Sequence, residues 1–363
     1  MTSLCISPIS IPNPNYGVKV IPGSPFSVKD CTSVRISVPC GHCVECIASR
    51  QNSLIQRVDM LSTDYDVFFF TLTYNNETIR TVLTSSGFEL KYADISDFQK
   101  MMKRIRVHNL IPREFKYLLV SERGSLKSRP HFHGLLFTKK VDKEDDYSLR
   151  NWEKYLYDVF FKNWSRNVGS DKKPRYIPLF TYHEAYRHGR CYRNFDFHRV
   201  IPWTSQDISA PAWYCIKYML KPSDKEEKLQ QALKLNLSLE EYNDVWKLVR
   251  SRHVFSKNFA TDPVYKEHIR KGIELAKSDN SLFPYFILSN GRTVPLSRVY
   301  KSKALFYGLD DALFFKQQSA NFQSLDNPQI SQDVKHVSEL LASSKRGEKL
   351  RSISDIDNTV YDD

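Results

Sequence analysis

One nine-residue run limits the folds open to this chain. Arg129-Pro130-His131-Phe132-His133-Gly134-Leu135-Leu136-Phe137 alternates histidine with an apolar residue and then turns apolar throughout. Strand side chains alternate between faces, so His131 and His133 share one face while Phe132 enters the opposite layer. Such a strand asks for sheet neighbours on both sides and a packed layer behind it.

Candidates for those neighbours lie close in sequence. Val67 to Tyr74 reads as a strand, VFFFTLTY, stopped by Asn75-Asn76. Phe115 to Glu122 reads as a second, His131 to Thr138 as a third, and Phe195 to Ile201 as a fourth. A short loop bearing Gly, Ser and Pro joins the second to the third. Between them fall helical patterns: Cys46 to Val58, a helix capped by Asp94 or Ser96 and running to about His108, and residues 146–164. A last one, Ala210 to Lys221, has Pro211 in its first turn and Pro222 as its stop. Hairpins mixed with helices predict an α+β fold, one antiparallel sheet with helices packed on it.

The organisation expected around that core has four parts. Residues 1–62 form an N-terminal arm, irregular apart from two short strands, and a cysteine-rich module. Residues 63–222 form the core, 223–322 a mainly helical region with a hairpin near Asn290-Gly291, and 323–363 a flexible tail. The tail assignment rests on composition, since aromatics nearly vanish there and the last twelve residues hold four Asp and no Lys or Arg. Residues 165–193 read as basic and irregular.

Charge points to an anionic partner. Lys and Arg number 53 against 41 Asp and Glu, a net of +12 over 363 residues. Residues 100–140, which contain the two central strands, hold eleven Lys/Arg against two Glu. With 20 Tyr, 22 Phe and 5 Trp, the chain also has aromatic faces suited to unstacked bases, although core packing alone would use many of them. Only 12 glycines occur, and no glycine-rich phosphate loop ending in Lys-Ser/Thr is found, so no NTP motor is expected. No apolar run reaches the ~18 residues of a membrane span, and the first sixteen residues lack the form of a secretory signal. The expected compartment is a reducing cytoplasm.

Two imidazoles on one strand face can share a divalent ion. Glu122, at the end of the preceding strand, is placed to add a carboxylate if the two strands form a hairpin. A site of this composition suits Mg²⁺ or Mn²⁺ acting on a phosphate, with imidazole favouring Mn²⁺; the alternative is a pair of structural histidines. In Trp213-Tyr214-Cys215-Ile216-Lys217-Tyr218-Met219-Leu220-Lys221, helical spacing puts Tyr214, Lys217, Tyr218 and Lys221 on one face. A cation beside a phenol favours its phenolate and can hold a phosphate oxygen; the alternative is an amphipathic helix with two half-buried tyrosines. Cys40-Gly41-His42-Cys43-Val44-Glu45-Cys46 offers three thiolates at metal-binding spacing. In a reducing compartment this reads as structural zinc, with Cys5, Cys31 or His42 as fourth ligand. Cys5 is preferred, because it would staple the arm to the following helix.

These motifs together resemble the HUH endonucleases that initiate rolling-circle replication, above all the initiators of microviruses of the gokushovirus branch. The resemblance lies in Val38-Pro39-Cys40 through Cys46, in Arg129-Pro130-His131-Phe132-His133 and in Tyr214-Cys215-Ile216-Lys217-Tyr218, with Phe70-Thr71-Leu72-Thr73-Tyr74 as the apolar strand that precedes the metal strand. It covers roughly residues 1–222. It implies an HUH, RRM-like nuclease core in a phage protein acting in the cytoplasm of a bacterial host. It further implies that a tyrosine attacks the scissile phosphate of single-stranded or extruded origin DNA, leaving a 5′-phosphotyrosine and a free 3′-OH. A host helicase and polymerase are then the expected partners. Two other readings stand beside it: a single-strand-binding protein without chemistry, and an HUH relaxase, plasmid initiator or transposase.

Overall fold

In the computed structural model of the chain, residues 8–18, 32–40, 43–124, 129–141, 145–170, 172–180, 197–200, 203–204, 207–208 and 224–324 are described. The elements, in chain order, begin with β1 (Ile9–Pro12), β2 (Arg35–Val38), α1 (Val44–Asp64), β3 (Tyr65–Leu72), β4 (Arg80–Leu83) and β5 (Glu89–Tyr92). There follow α2 (Ile95–Val107), β6 (Phe115–Arg123), β7 (Pro130–Lys139), α3 (Asp146–Asn163), β8 (Ser165–Asn167), β9 (Tyr176–Pro178) and β10 (Phe197–Val200). After two-residue strands β11 (Trp203–Thr204) and β12 (Asp207–Ile208) come α4 (Asp224–Asn236), α5 (Leu239–Val249), β13 (His253–Phe255) and α6 (Lys266–Ser278). The last are β14 (Tyr285–Ile287), β15 (Thr293–Pro295), α7 (Arg298–Lys301) and α8 (Leu309–Ser324). Among the described residues no helix is long and apolar enough to cross a membrane.

The chain divides into two compact units, one of Arg50–Ile269 with Phe286–Ser297, the other of Met1–Ser49, Arg270–Tyr285 and Arg298–Asp363. The first is built on a five-stranded antiparallel sheet in the order β10-β3-β7-β6-β13. The fold is therefore α+β, as the sequence predicts, but the sheet takes one edge strand, β13, from beyond residue 222. With only three residues, β13 is too short for alternation to reveal it. The hairpin β4–β5 and the pair β8–β9 escaped the sequence reading for the same reason.

Alternation along the strands sorts the sheet into two faces. Phe68, Phe70, Leu72, Leu119, Phe132 and Leu136 form one core cluster with Phe98, Met101, Met102 and Ile105 of α2 and Leu156 and Phe160 of α3. Each fully buried Phe or Leu removes enough apolar surface to stabilise the fold by roughly 2–3 kcal/mol. The helices on this face start and stop on local signals. Asp94 caps α2 by accepting from the Ser96 N–H at 2.9 Å, and Asp145 caps α3 by accepting from the Ser148 N–H at 2.8 Å. Asn109, in the left-handed region at φ +46°, ends α2, with the Leu110 N–H donating to the Ile105 carbonyl at 2.9 Å.

Gly134 explains why a glycine interrupts the metal-strand motif. It pairs with Phe70 across β3–β7, and a Cβ at this position would overlap the Phe70 ring. Phe70 is itself fully buried and packs on Phe160 at 4.9 Å. Gly134→Ala should therefore destabilise the protein by about 1–3 kcal/mol through overpacking, read as a lower denaturant midpoint at unchanged m-value. An unchanged midpoint would mean that Phe70 yields without cost.

The second unit contains the antiparallel pair β1–β2, in the register Ile9↔Val38 to Pro12↔Arg35. The Arg35 guanidinium donates to the Ser10 carbonyl at 2.7 Å and ties the two strands of the arm. The expected hairpin near Asn290-Gly291 is present as β14–β15, with Gly291 at φ +81°. The expected helix from Ala210 to Lys221 and the expected tail lie outside the described residues, the tail beyond its first two residues.

Candidate metal centre and cysteine cluster

The β6–β7 hairpin sets Glu122 directly opposite His131 and Val120 opposite His133. On the other side, β3 sets Thr71 opposite His133. Strand alternation alone therefore brings one carboxylate and two imidazoles to the same face. The Nε2 atoms of His131 and His133 are 2.8 Å apart, and lie 3.0 and 3.1 Å from Glu122 Oε1. The two rings meet edge to face.

Hydrogen bonds from behind decide which nitrogens face inward. His131 Nδ1 lies 2.9 Å from the Arg129 carbonyl, which only accepts, so Nδ1 carries the proton and the neutral ring presents the Nε2 lone pair. His133 Nδ1 lies 2.9 Å from Thr71 Oγ1 and can donate to it in the same way. Phe69 stacks on the His133 ring at 5.4 Å and 23°, which fixes the ring plane. The role of Arg129 is structural. Its guanidinium donates to the Tyr74 carbonyl and, at 2.7 Å, to Asn76 Oδ1, locking the start of β7 to the end of β3.

Electrostatics keep the carboxylate charged. Burial pushes the Glu122 carboxyl up, but hydrogen bonds and charge from His131 and His133 outweigh it and bring the pKa down to about 2. A depressed pKa adds stability above the ordinary carboxylate range, so this contribution is whole at neutral pH and is lost only as the pH falls below about 4.5 toward 2. Two imidazole lone pairs and a carboxylate at such spacing repel one another unless a cation or proton lies among them. Donors about 2.1 Å from a shared ion, at octahedral right angles, would stand about 3.0 Å apart. Glu122, His131 and His133 fit that arrangement, and the group can hold a divalent metal.

The cysteines form a second group. Cys40, Cys43 and Cys46 bring their ligand atoms within 4.8 Å of one another. The Cys43 N–H donates to Cys40 Sγ at 3.3 Å, a bond that favours a thiolate. Cys46 is buried in the first turn of α1, where the helix dipole favours negative sulfur. Three thiolates so gathered can hold a structural zinc. The candidate fourth ligands Cys5, Cys31 and His42 lie outside the described residues, as do Tyr214, Lys217, Tyr218 and Lys221. Sequence reasoning missed Thr71 and Phe69. The alternation of Phe69-Phe70-Thr71 would have placed both on the ligand face once β3 was paired with β7.

Comparison with known proteins points to replication. The family model for the ORF2-type replication-associated protein matches residues 67–223. That span contains most of β3, the hairpin with Glu122, His131 and His133, and both candidate tyrosines. The chain is 28% identical to the replication-associated protein ORF4 of Chlamydia phage 1 over 127 residues. The aligned part makes up 35% of this chain and only 30% of the relative. No solved structure matches.

Proposed function

We propose that this protein is a phage replication initiator of the HUH type, which nicks and rejoins single-stranded origin DNA. The observation that carries this reading is the trio Glu122, His131 and His133, three inward-facing donors on one sheet face within a span similar to replication-associated proteins. When bound there, Mg²⁺ or Mn²⁺ supplies a Lewis acid that polarises a phosphate oxygen. The chain's own residues do the rest. Thr71 and the Arg129 carbonyl orient the imidazoles, and Glu122 keeps its negative charge at working pH.

Tyr214 and Tyr218 are the proposed nucleophiles. In the first cut a tyrosine oxygen bonds to phosphorus and the bond from phosphorus to the 3′ oxygen breaks. The phenolic proton ends on the freed 3′-OH, which can then prime a polymerase. Lys217 and Lys221 stabilise the phenolate and the phosphate oxygens. The second tyrosine serves the later cleavage, and attack by a 3′-OH reverses the linkage to close a circle. With no phosphate-loop motif in the sequence, unwinding is assigned to a host helicase. In the same reading the protein works in the cytoplasm of a bacterial host, and residues 63–222 form the nuclease core.

Zinc at Cys40, Cys43 and Cys46, completed by Cys5, would hold the arm to the start of α1. Protein purified without chelator should contain about one zinc per chain, and Cys43→Ser should lose it. Because such binding is coupled to folding, the loss should raise proteolysis and hydrogen exchange in the first ~60 residues. Full protection of the arm in zinc-free protein would refute the assignment.

A further inference from the structure

The segment that leads from α5 into β13 runs beside the candidate metal centre, and sequence alone gave it no role. Its chain is bonded to β6 next to Glu122: the Ser121 N–H donates to the Arg252 carbonyl and the Arg252 N–H to Ser121 Oγ, both at 2.8 Å. His253 pairs with Val120, which pairs in turn with His133. His253 therefore stands in the same row and on the same face as His133, two strands away, or about 10 Å at normal strand spacing. A recess opens beside the trio, walled by Ser121, Glu122, Arg123, Pro130, Val249 and Arg250.

The walls of this recess favour an anion. Arg250 is exposed, and its guanidinium makes no hydrogen bond or ion pair among the described residues. Arg123 is held deeper, donating to the carbonyls of Lys91 at 2.8 Å and Val249 at 3.3 Å, with its Nε buried and unbonded among the described residues. Arg50 and Arg57 act on His253 with positive charge. From Arg250 to His253 is about 10 Å of extended chain, so one short segment spans from the recess at Glu122 to the row of His133.

We infer that Arg250 to His253 is a phosphate-binding track for single-stranded DNA, with Arg250 and His253 each contacting the backbone of the strand that crosses the metal centre. This rests on the nicking reading for its substrate. Packing around the ring, together with Arg50 and Arg57, lowers the pKa of His253, so at neutral pH its contact is a hydrogen bond without charge.

The test is fluorescence anisotropy with labelled oligothymidylate over a salt series, without added Mn²⁺. Arg250→Ala should weaken binding roughly two- to fivefold, the worth of one exposed ion pair. It should also reduce the slope of log K against log salt by about 0.7, the loss of one single-strand phosphate contact. Arg250→Lys should restore the slope, and His253→Ala should weaken binding without changing it. Mn²⁺ affinity, read by electron paramagnetic resonance, should be unaltered in all three. Unchanged affinity and slope in Arg250→Ala would overturn the track. The readout needs no cleavage, so a chain that cuts nothing yet loses slope in Arg250→Ala supports the track and fails the nicking reading.

Discussion

Replacing both histidines, His131→Ala with His133→Ala, should lower the rate of Mn²⁺-dependent cleavage of single-stranded origin DNA by about 10³-fold or more. A bound ion contributes several kcal/mol to stabilising charge on a phosphoryl oxygen, and two of its three donors would be gone. The remaining donor, Glu122, would also lose the hydrogen bonds that hold its pKa near 2. Oligonucleotide affinity should change little, because it comes chiefly from Lys and Arg contacts to phosphate. Glu122→Ala should act in the same direction but less strongly, raising the Mn²⁺ concentration needed for half-maximal cutting. Undiminished cleavage by the double histidine variant in chelator would remove the trio from the mechanism.

The second large effect belongs to the tyrosines. Helical spacing puts Tyr214 and Tyr218 about 6 Å apart along one face, so either can approach the same phosphate. Tyr214→Phe and Tyr218→Phe alone should each leave partial single-turnover cleavage while multiple-turnover strand transfer suffers. The double Phe variant should leave none. By resemblance, Tyr214 makes the first cut, since simpler initiators carry their lone tyrosine at the first position of this motif. A double Phe variant that still forms an adduct stable to boiling in detergent would place the nucleophile elsewhere.

The parts of the fold legible in sequence are those written in long periodic patterns. Eight or more residues of alternation gave β3, β6 and β7 to within two residues, and caps at Asp94 and Asp145 mark α2 and α3. Helix α1 was underread at Cys46 to Val58, because Met60 and Leu61 continue its buried side to Asp64 beyond the expected stop. The site was legible because its chemistry is local: a His-x-His strand and a carboxylate one hairpin turn away. What supports the site is not local. Thr71 reaches His133 across 62 positions, and Arg252 reaches Ser121 across 131. Such pairings follow from strand order, which periodicity within one strand does not encode.

The central claim is a covalent protein–DNA intermediate, and its most direct measurement is peptide mapping. Wild-type protein is incubated with single-stranded origin oligonucleotide and Mn²⁺, denatured, digested with protease and nuclease, and analysed by mass spectrometry. The account predicts a nucleotide linked through its 5′ phosphate to Tyr214 or Tyr218, absent in His131→Ala/His133→Ala. Efficient cleavage with no linked peptide, or a linkage to another residue that persists in the double Phe variant, would contradict it.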